Sequence, residues 1–223
     1  MQLSMTSWSE RFVRAVEGAF GARIVCAGIQ GSRARGEANP SSDIDTVLIL
    51  DELTREDLTV YRALLQTLPD ADMICGFVSG KAELACWEPS ELVSFYFDTL
   101  PLRGDLEFLR PLVTEDAARR AVHSGACGIY HACCHNVLFD RSAEVLQALY
   151  KAAFFVLRTK AFLETGEFSR REDELLRRLC TGDRAVLVRR AALAKQAPNE
   201  EKLAEESDLL LQWSGALIRE YAE

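Results

Sequence analysis

A short polar stretch between two apolar runs constrains this chain more than any other part of it. Residues 28–45 read Gly-Ile-Gln-Gly-Ser-Arg-Ala-Arg-Gly-Glu-Ala-Asn-Pro-Ser-Ser-Asp-Ile-Asp, so a small-residue turn opens the stretch and two carboxylates close it. The flanking runs 24–27 and 46–50 are partly β-branched and are bounded by turn formers, which predicts two buried strands. The polar residues are therefore expected at one edge of a sheet.

The two carboxylates are separated by a single apolar residue. Because side chains alternate along a strand, Asp43 and Asp45 are expected on one face and Ile44 on the other. Neighbouring carboxylates repel each other, and a divalent cation relieves that repulsion. Mg²⁺ is commonly held by one or two carboxylates and completes its coordination shell with phosphate oxygens. The pair therefore predicts a Mg²⁺ site.

The turn before them has the properties of an anion site. Gly31 and Ser32 lack bulk, so backbone N–H groups could approach a phosphate closely, and a helix starting at Ser32 would direct its positive end there. Arg33 and Arg35 add positive charge that could pair with the outer phosphates. With the metal site, this combination predicts metal-dependent transfer of a nucleotidyl or phosphoryl group.

Residues 31–36, Gly-Ser-Arg-Ala-Arg-Gly, followed by Ser-Asp-Ile-Asp at 42–45, resemble the signature of the polymerase-β-type nucleotidyltransferase superfamily. The likeness is strongest to the small bacterial branch that includes aminoglycoside nucleotidyltransferases and minimal nucleotidyltransferases. The resemblance implies that the Gly-Ser turn contacts the triphosphate of ATP or another NTP and that the two aspartates bind metal. Ser42, as part of the signature, is assigned to the same nucleotide site.

The resemblance also implies a third acidic residue on a neighbouring strand. An apolar run at 72–78 begins with Asp72, which is the candidate for a third metal ligand or a general base. Asp70 is the alternative, because a strand boundary cannot be assigned within two residues from sequence.

The amino-acid composition limits which classes of molecule the protein is expected to bind. The chain has 223 residues, 48% of them hydrophobic, and a formal net charge of −8, which disfavours binding to long nucleic acid through its phosphates. Seven cysteines show no framework spacing, and no secretory leader or membrane-spanning run is evident, so reduced thiols, a cytoplasmic location and no membrane partner are expected. The oligomeric state, including a homo-oligomer, stays open.

Periodicity predicts an α+β fold in two parts. A mixed sheet of the nucleotidyltransferase fold with flanking helices is expected over 1–112 as the catalytic domain. Pro101 indicates that the last strand, at 99–104, lies at the sheet edge. An α-helical bundle domain is expected over 113–223, with Ser142 and Asn199 as N-caps and Ser169 with Glu172 as a capping box. Its helices are predicted at 115–138, 142–165, 169–181, 183–196 and 199–221.

One cluster of soft ligands lies in the first of these helices. His131 and His135 are four residues apart and share a helix face with cysteines nearby, as paired zinc ligands do. No metalloprotease glutamate follows His131, and no second ligand pair has finger spacing. A core or cleft-wall role is therefore favoured over a metal or acceptor contact.

The residues together predict an enzyme that moves a nucleoside monophosphate, AMP first among them, from an NTP to an acceptor hydroxyl. A small antibiotic such as an aminoglycoside and a protein hydroxyl are both retained as acceptors, and a long RNA is least expected. The alternative is a catalytically weak, nucleotide-binding regulatory or antitoxin-like protein that acts through its helical domain.

Overall fold

The structure is a computed structural model that describes residues 5–196 and 198–222. The described chain divides into two compact units, with the boundary between Leu112 and Val113. The first unit contains a mixed sheet with flanking helices and the second is helical, so the predicted α+β class is confirmed. No helix in these ranges is long and apolar enough to cross a membrane.

The first unit is built on a four-stranded sheet. Its strands are β1 (Ile24–Gln30), β2 (Ile44–Leu50), β3 (Ile74–Gly80) and β4 (Leu100–Gly104), in the order β3-β2-β1-β4. β2 and β3 are parallel, whereas β1 is antiparallel to both β2 and β4. β4, with its Pro101, lies at the sheet edge as predicted. The helices of this unit are α1 (Met5–Phe20), α2 (Gly31–Arg35), α3 (Arg55–Leu65), α4 (Lys81–Ala85) and α5 (Pro89–Asp98).

Both faces of the sheet are covered, and β2 contributes to both cores. Ile44 and Leu48 pack with aromatic residues of α1 and α3, whereas Val47 and Ile49 pack with leucines of α4 and α5. Because side chains alternate along a strand, Asp45 belongs to the face that α4 and α5 cover. The apolar pattern of β2 therefore decides on which side of the sheet this carboxylate lies.

The second unit consists of helices that share one apolar core. They are α6 (Glu115–His135), α7 (Ala143–Thr165), α8 (Glu172–Arg178), α9 (Thr181–Leu193) and α10 (Glu200–Glu220), and a π-helical turn, Asn136–Asp140, follows α6. The predicted N-caps are confirmed, since the side chains of Ser142 and Asn199 accept hydrogen bonds from Val145 N and Lys202 N.

The capping box predicted at Ser169 is wrong. The N-cap of α8 is Arg171, and Ser169 is buried, with its carbonyl accepting a 3.0 Å hydrogen bond from Nε of Arg158. Arg158 is itself fully buried, and a buried guanidinium needs acceptors. Burial of this arginine in the bundle therefore overrides the local capping signal.

A buried acid at the start of α3 links that helix to the entry of β1. Asp57 accepts hydrogen bonds of 2.7 and 2.9 Å from the guanidinium of Arg23 and caps α3 together with Thr54. The hydrogen bonds from Arg23, followed by those from Thr54, hold the pKa of Asp57 well below its usual range. The ionised carboxylate is therefore the form that the fold stabilises.

We expect Asp57→Asn to lower the melting temperature at pH 7 and to lower it less at pH 3. A carboxyl group whose pKa is depressed by folding stabilises the protein above its unfolded pKa, about 3.9, and this contribution is lost as the pH falls further. Melting curves of wild type and variant at pH 7 and pH 3 test this. Glu56→Gln, at an exposed position in the same helical turn, is the control and should show no pH-dependent difference. A constant difference for Asp57→Asn between the two pH values would contradict the assignment.

Candidate active site

The first site element is the junction between β1 and α2. α2 begins at Gly31, one residue earlier than predicted, and Gly31 has φ +71°, a left-handed conformation that favours glycine. A Cβ atom at this position would lie 1.9 Å from Oδ2 of Asp45. The carboxylate of Asp45 therefore lies directly against the backbone of the Gly-Ser turn.

The two aspartates flank a buried residue at the start of β2. Ile44 is only 1% exposed, whereas Asp45 is half-buried and Asp43, just before the strand, is exposed. Within the sheet, Asp45 pairs with Gln30 of β1 and with Cys75 of β3. The core side chain between the two acids thus anchors the segment that carries them.

The two serines of the signature have different surroundings. Ser32 is half-buried in the first turn of α2, where backbone N–H groups lack acceptors within the helix. Ser42, by contrast, uses its hydroxyl in a local bend, since its Oγ accepts a 2.9 Å hydrogen bond from Asn39 N. The geometry favours a structural role for the Ser42 side chain over the predicted nucleotide contact.

Arg33 is directed to protein carbonyls. Its Nε donates to the carbonyl oxygens of Ser42 and Asp43, both at 3.1 Å, and its Nη2 donates to Ser42 O at 2.6 Å. This edge of the guanidinium is therefore occupied by the backbone that precedes β2, and a phosphate contact of Arg33 stays a prediction.

Arg35 is directed to carboxylates. Its side chain is 7% exposed and forms ion pairs of 2.9 Å with Asp98 at the end of α5 and with Glu37. A guanidinium paired with two carboxylates has its charge balanced within the protein. The arrangement ties α2 to α5, and the phosphate contact of Arg35 stays a prediction.

Asp72 is not placed with the other two aspartates. It is exposed in a 3-10 turn, Ala71–Met73, and β3 begins only at Ile74. Asp70, the alternative, lies before that turn with φ +57°. Within residues 5–196 and 198–222, no three His, Cys, Asp or Glu side chains are grouped so that they could hold a metal ion. A three-aspartate ligand set is therefore not formed.

Two residues beside Asp45 were not found by sequence reasoning. Gln30 donates from Nε2 to Oγ1 of Thr99 at 2.6 Å and to Phe95 O at 3.3 Å, which connects β1 to the end of α5. Cys75 is exposed and occupies the β3 position that pairs with Asp45. Only the strand register identifies both residues, because neither has a local motif.

The histidine and cysteine cluster of α6 does not form a metal site among the described residues. Cys133 is buried, and burial raises the pKa of its thiol to about 11. His135 is exposed, and its Nδ1 lies 3.1 Å from Oδ2 of Asp140. The core interpretation therefore fits Cys133, while His135 lies at the surface.

A comparison with models of known protein families finds a match to this part of the chain. The model of a nucleotidyltransferase domain matches residues 10–110, which include the Gly-Ser turn and both aspartates of β2. This segment is a nucleotidyltransferase domain. The domain is of the polymerase-β type, as the order of strand, Gly-Ser turn and Asp-x-Asp strand predicts. A search of curated proteins gives no match to the chain.

A solved structure shares the fold over nearly the whole chain. It is the spectinomycin adenyltransferase AAD(9) from Enterococcus faecialis, determined with ATP and spectinomycin. The two proteins are 11% identical, with a TM-score of 0.58 and coverage of 96% of this chain and 99% of the other. At this identity the likeness establishes the fold of the nucleotidyltransferase domain and of the helices that follow it.

We expect Gly31→Ala to be more damaging than Gly36→Ala. Gly36 has φ +72°, nearly the same as Gly31, but nothing lies within 4 Å of a Cβ built there. Each variant should lose about 1–2 kcal/mol of unfolding free energy from the left-handed backbone, and Gly31→Ala should lose more because the Asp45 carboxylate must move. Urea denaturation of both variants measures the difference. Equal losses would show that the contact between Gly31 and Asp45 is absent.

Proposed function

We propose that the protein transfers AMP from ATP to a hydroxyl group of a small-molecule acceptor and that it requires Mg²⁺. The nucleotidyltransferase domain supports nucleotidyl transfer as the reaction class. The observation that carries the proposal is the Asp45 carboxylate beside Gly31, because it brings a metal-binding group to a phosphate-binding turn. The proposal assigns catalysis to 1–112 and treats 113–223 as the accompanying helical bundle domain.

The donor set of the site fits Mg²⁺. Asp43 and Asp45 offer hard carboxylate oxygens that are not fully buried, and one or two carboxylates together with substrate phosphates are the usual environment of this ion. The bound ion supplies positive charge that stabilises the negative charge developing on the phosphates. In this proposal Asp43 and Asp45 are the ligands, and no third acidic ligand is included.

The chain's own residues bind and orient the nucleotide. Backbone N–H groups of the Gly31–Ser32 turn would donate to the triphosphate, as first-turn amides do with anions. The acceptor oxygen forms a bond to the α-phosphorus, the bond from that phosphorus to the bridging oxygen breaks, and pyrophosphate leaves. The acceptor hydroxyl loses its proton in the same reaction. The role of Asp72 as the base for that proton stays a prediction.

Two observations support a small-molecule acceptor. The protein that shares the fold was solved with spectinomycin as well as ATP. The net charge of −8 favours the approach of cationic molecules over that of nucleic acid. A protein hydroxyl is the competing acceptor and belongs in the same experiment.

The test is incubation with labelled ATP, Mg²⁺ and a panel of acceptors that contains spectinomycin, aminoglycosides and protein substrates. We expect pyrophosphate release and labelled product with a small-molecule acceptor, and neither when EDTA replaces Mg²⁺. Nucleotide binding without pyrophosphate release for every acceptor would overturn the enzymatic proposal and favour the regulatory, antitoxin-like alternative.

Asp45→Asn should reduce turnover by about 10³-fold or more, because it removes a metal ligand while keeping the side-chain shape. The matched control is Glu52→Gln, which removes one exposed carboxylate just beyond the opposite end of β2 and should leave turnover unchanged. Steady-state kinetics with the best acceptor measures both. Near-normal turnover of Asp45→Asn would rule out the proposed metal site.

The remaining role of Asp72 is tested by Asp72→Asn. If Asp72 takes the acceptor proton, kcat should fall by about 10²-fold or more, with little change in the KM for ATP. A kcat within about twofold of wild type would place Asp72 outside the catalytic machinery.

A further inference from the structure

We propose that Arg33 is a positioning residue that holds Asp43 for metal binding and does not contact the nucleotide. The inference rests on the proposed function, because it concerns the ligands of the same Mg²⁺ site. It assigns to this arginine a role that differs from the phosphate contact expected from the signature.

The contacts of Arg33 connect the two halves of the site. Arg33 lies in α2, two residues after Gly31, and its guanidinium binds the last two carbonyl groups before β2. The Ser42 carbonyl receives both Nη2, at 2.6 Å, and Nε, at 3.1 Å, and the Asp43 carbonyl receives Nε at 3.1 Å. One side chain thus ties the Gly-Ser turn to the backbone of the exposed aspartate.

The bend before Asp43 is held mainly by its own hydrogen bonds. Oδ1 of Asn39 accepts from N and Oγ of Ser41 at 2.9 and 2.7 Å, and Oγ of Ser42 accepts from Asn39 N at 2.9 Å. These local bonds set the shape of the bend, but they do not set its distance from α2. The contacts of Arg33 supply that constraint.

Ile44 and Arg33 together hold both sides of Asp43. Ile44, the residue after Asp43, is buried in the core of the first unit. On the other side, Arg33 binds the carbonyl groups of Asp43 and of Ser42, the residue before it. Asp43 itself is exposed and lies before the strand, so the ladder does not order it. Its carboxylate therefore depends on these two anchors for its position.

The geometry is specific to arginine. The planar fork places two nitrogens along one edge, and a lysine ammonium cannot reproduce this arrangement. Groups that orient metal ligands from outside the coordination shell typically change metal affinity by about 10–100-fold when they are removed. Loss of Arg33 should therefore weaken Mg²⁺ binding and leave metal-free nucleotide binding intact.

The test uses the full chain with ATP in which a methylene group bridges the α- and β-phosphorus atoms, so that no transfer occurs. Thermal unfolding is followed while Mg²⁺ is titrated in the presence of this analogue. For Arg33→Met we expect the Mg²⁺ concentration for half-maximal stabilisation to rise by about 10-fold or more. The affinity for the analogue in EDTA should equal that of wild type.

Arg14→Met is the matched control. Arg14 is exposed on α1 and lines the same surface groove as Arg33, so its loss removes one positive charge from that groove without removing a carbonyl contact before β2. This variant should titrate with Mg²⁺ as wild type does. A shift as large as that of Arg33→Met would overturn the proposal and indicate a general effect of charge.

A double-mutant cycle with Asp43→Asn separates positioning from direct contact. If Arg33 acts through Asp43, Arg33→Met should add little to the loss of Mg²⁺ affinity caused by Asp43→Asn. Additive losses, or weaker analogue binding by Arg33→Met in EDTA, would show that Arg33 contacts phosphate and would overturn the proposal. Arg33→Lys is the second variant, to be used if Arg33→Met does not fold, and it should also lose Mg²⁺ affinity.

The two proposals fail in different ways. If wild type gains no stability from the analogue and Mg²⁺, the proposed function fails first. If wild type is stabilised and Arg33→Met requires the same Mg²⁺ concentration, only the positioning role fails.

Discussion

The candidate site depends on the close approach of the Asp45 carboxylate to the backbone of Gly31, which has no side chain. Oδ2 of Asp45 occupies the space where the Cβ of any residue other than glycine at position 31 would lie. The same glycine has a positive φ, which turns the chain out of β1 and into α2. One residue therefore meets a steric and a conformational requirement together. The Gly-Ser turn and the strand that carries Asp45 are adjacent because of it.

Several charged and polar side chains near the candidate site bind other protein groups of the first unit. The guanidinium of Arg33 binds the backbone next to Asp43, and that of Arg35 joins α2 to Asp98 at the end of α5. Gln30 reaches the same end of α5 through Thr99. These contacts connect the turn, the aspartates and a neighbouring helix. A site held by such contacts loses less conformational freedom when substrate binds.

The helical unit also buries polar groups, and two sets of them are paired within its own core. Burial alone would lower the pKa of Lys160, yet its hydrogen bonds with Asp183 and Glu164 raise the pKa overall and keep the ammonium charged. Tyr150 donates a hydrogen bond to the buried carboxylate of Glu206. Removing one partner from such a pair leaves a buried polar or charged group without compensation. These pairs therefore favour one packing arrangement of the helices.

The sequence by itself determined the strand, turn and strand around residues 28–45, the edge strand with Pro101, and most helices of the second unit. These features follow from alternation, helical periodicity and turn residues, which are local properties of the chain. The tertiary structure alone decided that Arg33 and Arg35 face protein groups, that Asp72 stays apart from Asp43 and Asp45, and that Cys75 pairs with Asp45. Those outcomes depend on strand register and on which acceptors the folded chain brings within reach, and neither is encoded within a few neighbouring residues.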